Sequence, residues 1–454
     1  MKATKYIVFL SVLLVIFGSG LSCGKKTTTT TPDNGTTLVE NTDTGATNSL
    51  VIWGVFDSSD TWQPIIKSFN KQKGYTDTKI TYVMKDYADY ESMLIDAIAS
   101  DNGPDIFYVS NSWIGKHKAK MVPAKDTIIS VDDYQKKFFP AAYEDFVLDK
   151  NIYAFPLYSD SLALFYNSRM FNKASIVEAP ATWDDVIKDA EILTHPIVNY
   201  DKKGRVTSTV TQQADAGIAM GLTSNISRSQ DIVLALMLQT GTIMNSEDKR
   251  TFTFNQFQKQ SGTEEIKHPG ASALDFYTAF ANGNENNKWS SDFPSNIEAF
   301  ANSKVAMMIG YSYMIPQIKK INPDISLKVA PFPQITGAPS NITLANYWGW
   351  AVSRNSKNQG LAWSFMKFVS DPANITQYLT ATKKPSPLIS ISGGSDKVFE
   401  TQKEYAKTFY KGNGEAFDKI IIDMIDSVTK YGESSQSALD TAVSRGNDML
   451  KKYY

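Results

Sequence analysis

Two lysines, Lys2 and Lys5, open the chain and lead into an apolar run from Tyr6 to Phe17 broken only by Ser11. Gly18, Ser19 and Gly20 follow, then Leu21-Ser22-Cys23-Gly24. A charged start, a short apolar core and a small-residue exit predict a secretory signal over residues 1–22. The core is about a dozen residues, short of the roughly 20 that a spanning helix needs. Residues 23–48 then carry Lys25-Lys26, the threonines Thr27 to Thr31, Pro32 and many Gly, Asn, Asp and Thr. Leu38 and Val39 are too little apolar surface to offset ordering entropy, so this stretch reads as a disordered tether.

From Ser49 the pattern changes. Leu50-Val51-Ile52-Trp53-Gly54-Val55 reads as a buried strand. Asp57-Ser58-Ser59-Asp60 follows, with Asp60 placed to cap a helix. Thr61 to Lys73 repeats Ile65, Ile66 and Phe69 on one face and Lys67, Asn70 and Lys71 on the other, and Gly74 closes it. Lys79 to Val83 alternates like a strand. Tyr87 to Ala99 sets Tyr90, Met93, Leu94, Ala97 and Ile98 on one helical side. Asn102-Gly103-Pro104 breaks it before a third strand, Asp105 to Val109. Strands alternating with helices predict an α/β fold with a largely parallel sheet. Further on, Trp183 to Thr194, Asp231 to Thr240, Gly270 to Asn282 and Phe417 to Tyr431 read as helices. The last buries Ile420, Ile421, Met424, Ile425 and Val428.

Open sheets of this kind bind ligands beyond the carboxyl ends of their strands. Two such ends are legible, one with Asp57 and Trp62, the other with Asn111 and Trp113. An aromatic face suits the C–H face of a sugar ring, and Asp or Asn suits its hydroxyls. The competing reading makes these tryptophans core residues and the polar residues turn formers. For Trp53, inside its strand, that core reading is the better one.

Composition narrows the function classes. The chain has 454 residues, 42% hydrophobic and 12% aromatic, enough for two sizeable cores. The formal net charge of -1 offers no basic excess for nucleic acid. His117, His195 and His268 lie far apart without close ligand partners, which argues against a zinc site. Gly412-Asn413-Gly414 begins like a dinucleotide loop, but Phe417 stands where a third glycine is needed. Cys23 is the one cysteine, so an internal disulfide is excluded. Directly after a signal-like run, Cys23 resembles the lipidated cysteine of a bacterial lipobox. Gly20 stands three positions before it, where that motif usually has Leu. Lipidation would anchor the chain with more than one acyl chain.

Several segments in order resemble a known family. They are Trp53-Gly54, Asp86-Tyr87, Gly103-Pro104-Asp105-Ile106-Phe107, Ile152 to Pro156, Asp160 to Asn167 and Pro180 to Asp185. Ala299-Phe300, Lys304 to Gly310, Tyr347 to Ser353 and Ala362 to Val369 continue the series. Together they are similar to the extracellular solute-binding proteins of ABC importers, the group that holds the maltose-binding proteins. The resemblance implies a two-lobed periplasmic-binding-protein-like fold of type II with its ligand cleft between lobes. Residues 49–160 plus 304–352 would form the first lobe, and 161–303 plus 353–454 the second. The chain would cross near Asp160-Ser161, return near Ser303 and cross again near Val352. Lys304 to Tyr311 and Leu327 to Ala330 would then complete the first sheet.

By matching position the resemblance adds Asp160, Trp289, Tyr311, Trp348 and Gly349 to the candidate solute contacts. It implies a monomer without cofactor or metal that binds a small solute, a sugar or polyol, and delivers it to an ABC permease. None of the candidate contacts is basic, which favours a neutral solute. A rival reading is a secreted glycosidase using two carboxylates among Asp57, Asp86 and Asp160. Another is a surface adhesin or sensor on the same fold.

Overall fold

Ten strands, dealt into two five-stranded sheets, organise the chain. The structure, a computed structural model, describes residues 48–200, 202, 203, 206–259, 266–281 and 289–453. The expected signal, Cys23 and the expected tether up to residue 47 lie outside the described residues. The strands are β1 (Ser49–Gly54), β2 (Lys79–Met84), β3 (Ile106–Ser110), β4 (Ala154–Pro156) and β5 (Ala163–Asn167), then β6 (His195–Tyr200), β7 (Val206–Ala219), β8 (Val305–Gly310), β9 (Leu327–Ala330) and β10 (Trp348–Val352).

The first sheet runs β2-β1-β3-β10-β4. β1 lies parallel to β2 and to β3, while β10 enters antiparallel between β3 and β4. The helix Ser59–Asn70 covers this sheet with Trp62, Ile65, Ile66 and Phe69, one stripe at helical spacing. It begins earlier than its pattern predicts: Ser58 is the N-cap residue and Asp60 lies inside the first turn, where its charge favours the positive helix end.

The second sheet runs β9-β5-β8-β7-β6. β8 pairs antiparallel with β5 and parallel with β7, and β9 pairs with β5. This corrects the expected lobe boundaries, because Lys304 to Tyr311 and Leu327 to Ala330 belong to the second lobe. A fully buried strand such as β8 reads the same whichever sheet it joins, so periodicity could not assign it. The helices Gln359–Val369 and Pro372–Thr382, expected in the second lobe, bury Trp363, Phe365, Tyr378 and Leu379 in the first-lobe core. That core draws on residues 50–158, 345–391 and 406, and the second on residues 162–344 and 399–450.

The lobes are joined where the chain crosses between these cores. The Leu162 N–H donates to the Leu344 carbonyl at 3.1 Å, Asn346 to Asp160 at 3.0 Å and Ala345 to Lys407 at 2.9 Å. Thr343–Leu344 and Ala406–Lys407 pair in parallel alongside. The buried Gln402 amide ties this ribbon to the second lobe. It donates to Ser161 Oγ and the Leu162 carbonyl and accepts from the Phe332 N–H at 2.7 Å.

Near the carboxyl end, Asn413 caps the helix Gly414–Tyr431 through its side chain, and Gly432 ends it at a left-handed φ of 69°. The Gly412-Asn413-Gly414 segment is therefore a helix start.

Candidate functional site: the cleft between the lobes

β1 and β3 end at the same edge, where β10 begins with Trp348 opposite Ser110. Aromatic rings gather at that edge. Trp348 meets Phe56 at 5.5 Å, Tyr87 at 6.1 Å and Trp113 at 5.1 Å between centroids, and Phe56 meets Tyr87 at 5.3 Å. Phe56 is 50% exposed and Tyr87 61% exposed. Phe56 also sits at φ 71°, a region non-glycine residues rarely adopt. Strained backbone of this kind clusters at ligand clamps and active sites.

Beneath this wall lies a buried polar cluster. Lys384 Nζ donates to Asp57 Oδ1 at 2.6 Å and to the Tyr378 hydroxyl at 2.8 Å. The hydroxyls of Tyr108 and Tyr378 donate to Asp57 Oδ2 at 3.0 and 2.9 Å. Lys384 also lies 4.6 Å from the Tyr158 ring centroid. Burial lowers the Lys384 pKa, while Asp57 pulls it back up.

Asp160 sits on the first crossing and reaches into the second lobe. Its carboxylate accepts from Ser312 Oγ at 2.8 Å, from the Ser312 N–H at 3.2 Å and from the Ser161 N–H at 2.9 Å. Burial pushes its pKa up to about 7 against these hydrogen bonds. Behind Ser312, the Tyr311 hydroxyl donates to Asp231 Oδ2 at 2.8 Å, and the Tyr311 ring stacks on Tyr313 at 5.8 Å. Tyr313 is 43% exposed. Burial raises its hydroxyl pKa and the Arg228 guanidinium works to lower it, while Asp231 in the second lobe and Asp160 at the crossing raise it further.

Arg228 adds a fixed guanidinium, with Nη2 2.7 Å from Asp231 and 3.2 Å from Asp418. Lys411 Nζ lies 3.3 Å from Asp418. Burial works to raise the Asp231 pKa, but Arg228 and Lys411, with hydrogen bonds from Tyr311 and Arg228, hold it below the usual range. Sequence reasoning missed Arg228, Lys384 and Lys411. Basic residues do line the cleft, each paired with a carboxylate.

The predicted contacts divide. Asp57, Trp113, Asp160 and Trp348 gather at the cleft edge and first crossing, and Tyr311 backs Tyr313. Asn111 donates to Asp145 Oδ2 at 2.9 Å beside a small recess lined by residues of both lobes. Burial pushes the Asp145 pKa up to about 6, against hydrogen bonds from Asn111, Thr408 and Tyr347. Three residues stand elsewhere. Trp62 is fully buried, stacked on Tyr378 at 4.9 Å in the first-lobe core. Trp289 is fully buried against Phe293 at 4.7 Å, its indole N–H donating to Asn225. Gly349 serves packing, since a Cβ there would lie 2.4 Å from the Phe155 carbonyl oxygen. Tyr87 and Tyr313 were missed, and Phe56, noted beside Asp57 after the first strand, was not counted among the contacts; each lies just past the end of a strand.

Among the described residues no group of three His, Cys, Asp or Glu is arranged to hold a metal ion, and no helix is long and apolar enough to cross a membrane. Asp57 and Asp160 are each held by neighbouring donors, Asp57 by Lys384 and Asp160 by Ser312.

Two α/β lobes around an aromatic-edged cleft, joined by adjacent chain crossings, are the architecture of a two-lobed solute-binding protein. The chain belongs to the bacterial extracellular solute-binding protein family, whose model matches residues 64–403. It is 32% identical over 129 residues to the maltotriose-binding protein of Pyrococcus abyssi, a match spanning 28% of this chain and 26% of that relative's length. It is 22% identical over 420 residues to the melibiose/raffinose/stachyose-binding protein of Bacillus subtilis, 89% of this chain and 85% of that one. The solved cyclic alpha-maltosyl-1,6-maltose binding protein of Arthrobacter globiformis shares the fold with a TM-score of 0.70 at 16% identity, over 89% of this chain and 99% of that one. These relatives are binding proteins and not enzymes.

Proposed function

We propose that this protein captures a neutral carbohydrate outside the cytoplasm and hands it to the permease of an ABC importer. The observation that carries this reading is an aromatic wall in which exposed Phe56 and Tyr87 rest against the buried Trp348, facing a second lobe whose cations are already matched by carboxylates. Aromatic faces take the apolar face of a sugar ring, and balanced charges give no net attraction to an ion. The sugars in the names of its relatives support the same class. Lipidation of Cys23 is part of the proposal, with residues 24–48 as the tether that gives the lobes reach.

A thermal-shift screen over oligosaccharides, polyols, amino acids and metal ions tests it. A ligand that binds only the folded state adds about 2.7 kcal/mol at a hundredfold excess over its Kd. At least one neutral sugar should raise the Tm by several degrees; a rise with amino acids and none with sugars refutes the assignment.

A further inference from the structure

The two walls of the cleft differ in chemistry. The first lobe offers aromatic rings. The second offers Arg228, Asp231, Lys411 and Asp418 as one cluster, braced by the Tyr311 hydroxyl and by Asn346 Nδ2 at 3.3 Å from Asp231 Oδ2. Arg228 holds a left-handed φ of 62° just before the helix Ser229–Gln239, and its side chain stays 28% exposed. Its Nε and Nη2 contact Asp231 Oδ2 at 2.8 and 2.7 Å, contacts that do not use Nη1. A guanidinium has five N–H donors, so donors remain for a second partner. Asp231 Oδ1 is buried and accepts no hydrogen bond, with Lys411 Nζ 3.8 Å away. Lys411 also lines the recess where the lobes meet beside Asn111 and Ser112.

We propose that Arg228 and Lys411 are the specificity-determining donors of the cleft, and that they select neutral over acidic sugars. A solute lies with its apolar face on the first-lobe aromatics, and closure brings its hydroxyls onto these two side chains. Each cation is held by carboxylates, so it donates hydrogen bonds without offering net positive charge. A hydroxyl can accept from Arg228 and also donate to a carboxylate. A uronate carboxylate can only accept, and it would stand beside Asp231 and Asp418, where like charges repel. This inference rests on the carbohydrate reading above.

The test is calorimetric titration of the wild type, Arg228→Lys and Asp418→Asn with maltotriose, raffinose, melibiose and trigalacturonate. Ligand-free melting is recorded for each. The wild type should bind at least one neutral probe at least tenfold more tightly than trigalacturonate. Arg228→Lys keeps a cation beside Asp231 but loses the planar fork, so its melting temperature should stay within a few degrees while neutral-probe affinity falls at least tenfold. Asp418→Asn removes one of the repelling carboxylates, so the ratio of neutral to trigalacturonate affinity should fall severalfold. Neutral-probe binding by Arg228→Lys equal to wild type would overturn the proposal, as would a wild-type preference for trigalacturonate. If Arg228→Lys does not fold, an unchanged neutral-to-acidic ratio in Asp418→Asn overturns it. If the wild type binds no probe at all, the carbohydrate reading itself fails.

Discussion

Tyr87 and Trp289 are both large aromatics, and opposite consequences follow from where they sit. Tyr87 is 61% exposed at the cleft edge, so Tyr87→Ala removes little packing. It should weaken sugar binding by roughly tenfold, about 1.4 kcal/mol, with the melting temperature nearly unchanged. Trp289→Ala opens a hole in the second-lobe core and should cost about 3–5 kcal/mol of stability, leaving the affinity of the folded fraction intact. Denaturant titration and calorimetry on the same preparations separate the two effects. The reverse pattern would mean that the cleft has been assigned to the wrong aromatics. Much of this was legible at single residues. Trp62, expected at the solute, instead joins the buried helical stripe of Ile65, Ile66 and Phe69, an alternative its spacing left open. Phe56 follows the first strand directly, at the kind of position that drew attention to Trp113. Its exposure was not legible, because only the folded backbone reveals its left-handed φ of 71°.

Between elements, the crossings matter most. Asp160 links the first crossing to Ser312 just past β8, and Asp145 links the helix Pro140–Phe146 to Thr408, next to the paired Ala406–Lys407 segment. Burial raises both carboxyl groups, Asp160 to about 7 and Asp145 to about 6, from a usual 3.8. A raised carboxyl pKa means the folded state binds more protons than the unfolded state between the two values. Their contribution to stability therefore falls as pH rises from about 4 to about 7, and is level above that. His117, lowered by burial, acts in the opposite sense below 6.5, so the comparison must be with a variant. The difference in unfolding free energy between wild type and Asp160→Asn should drift against the wild type by up to about 1.4 kcal/mol per pH unit across that window. A difference independent of pH would show that Asp160 is ionised throughout. At this scale the sequence was a partial guide. Periodicity found β8 and β9 as strands but could not say which sheet they join. That choice depends on pairing with β5, a long-range contact no local pattern encodes.

At the scale of the whole molecule, the ordered series of family segments anticipated two lobes and a cleft, and the family match over residues 64–403 agrees with it. What the segments could not convey is the make-up of the cleft, aromatic rings set beside cations that carboxylates already pair. Arg228, Lys384 and Lys411 are ordinary surface residues by composition. They acquire a role only when Asp231, Asp57 and Asp418 fold beside them. The measurement that tests this account most directly is isothermal titration of the protein with maltotriose, raffinose and melibiose, repeated at several temperatures. The account predicts saturable one-to-one binding of at least one of them, with a negative heat-capacity change from burying the sugar's apolar face on the aromatic wall. Heats indistinguishable from dilution for every neutral sugar, beside saturable binding of an amino acid or a charged solute, would contradict it.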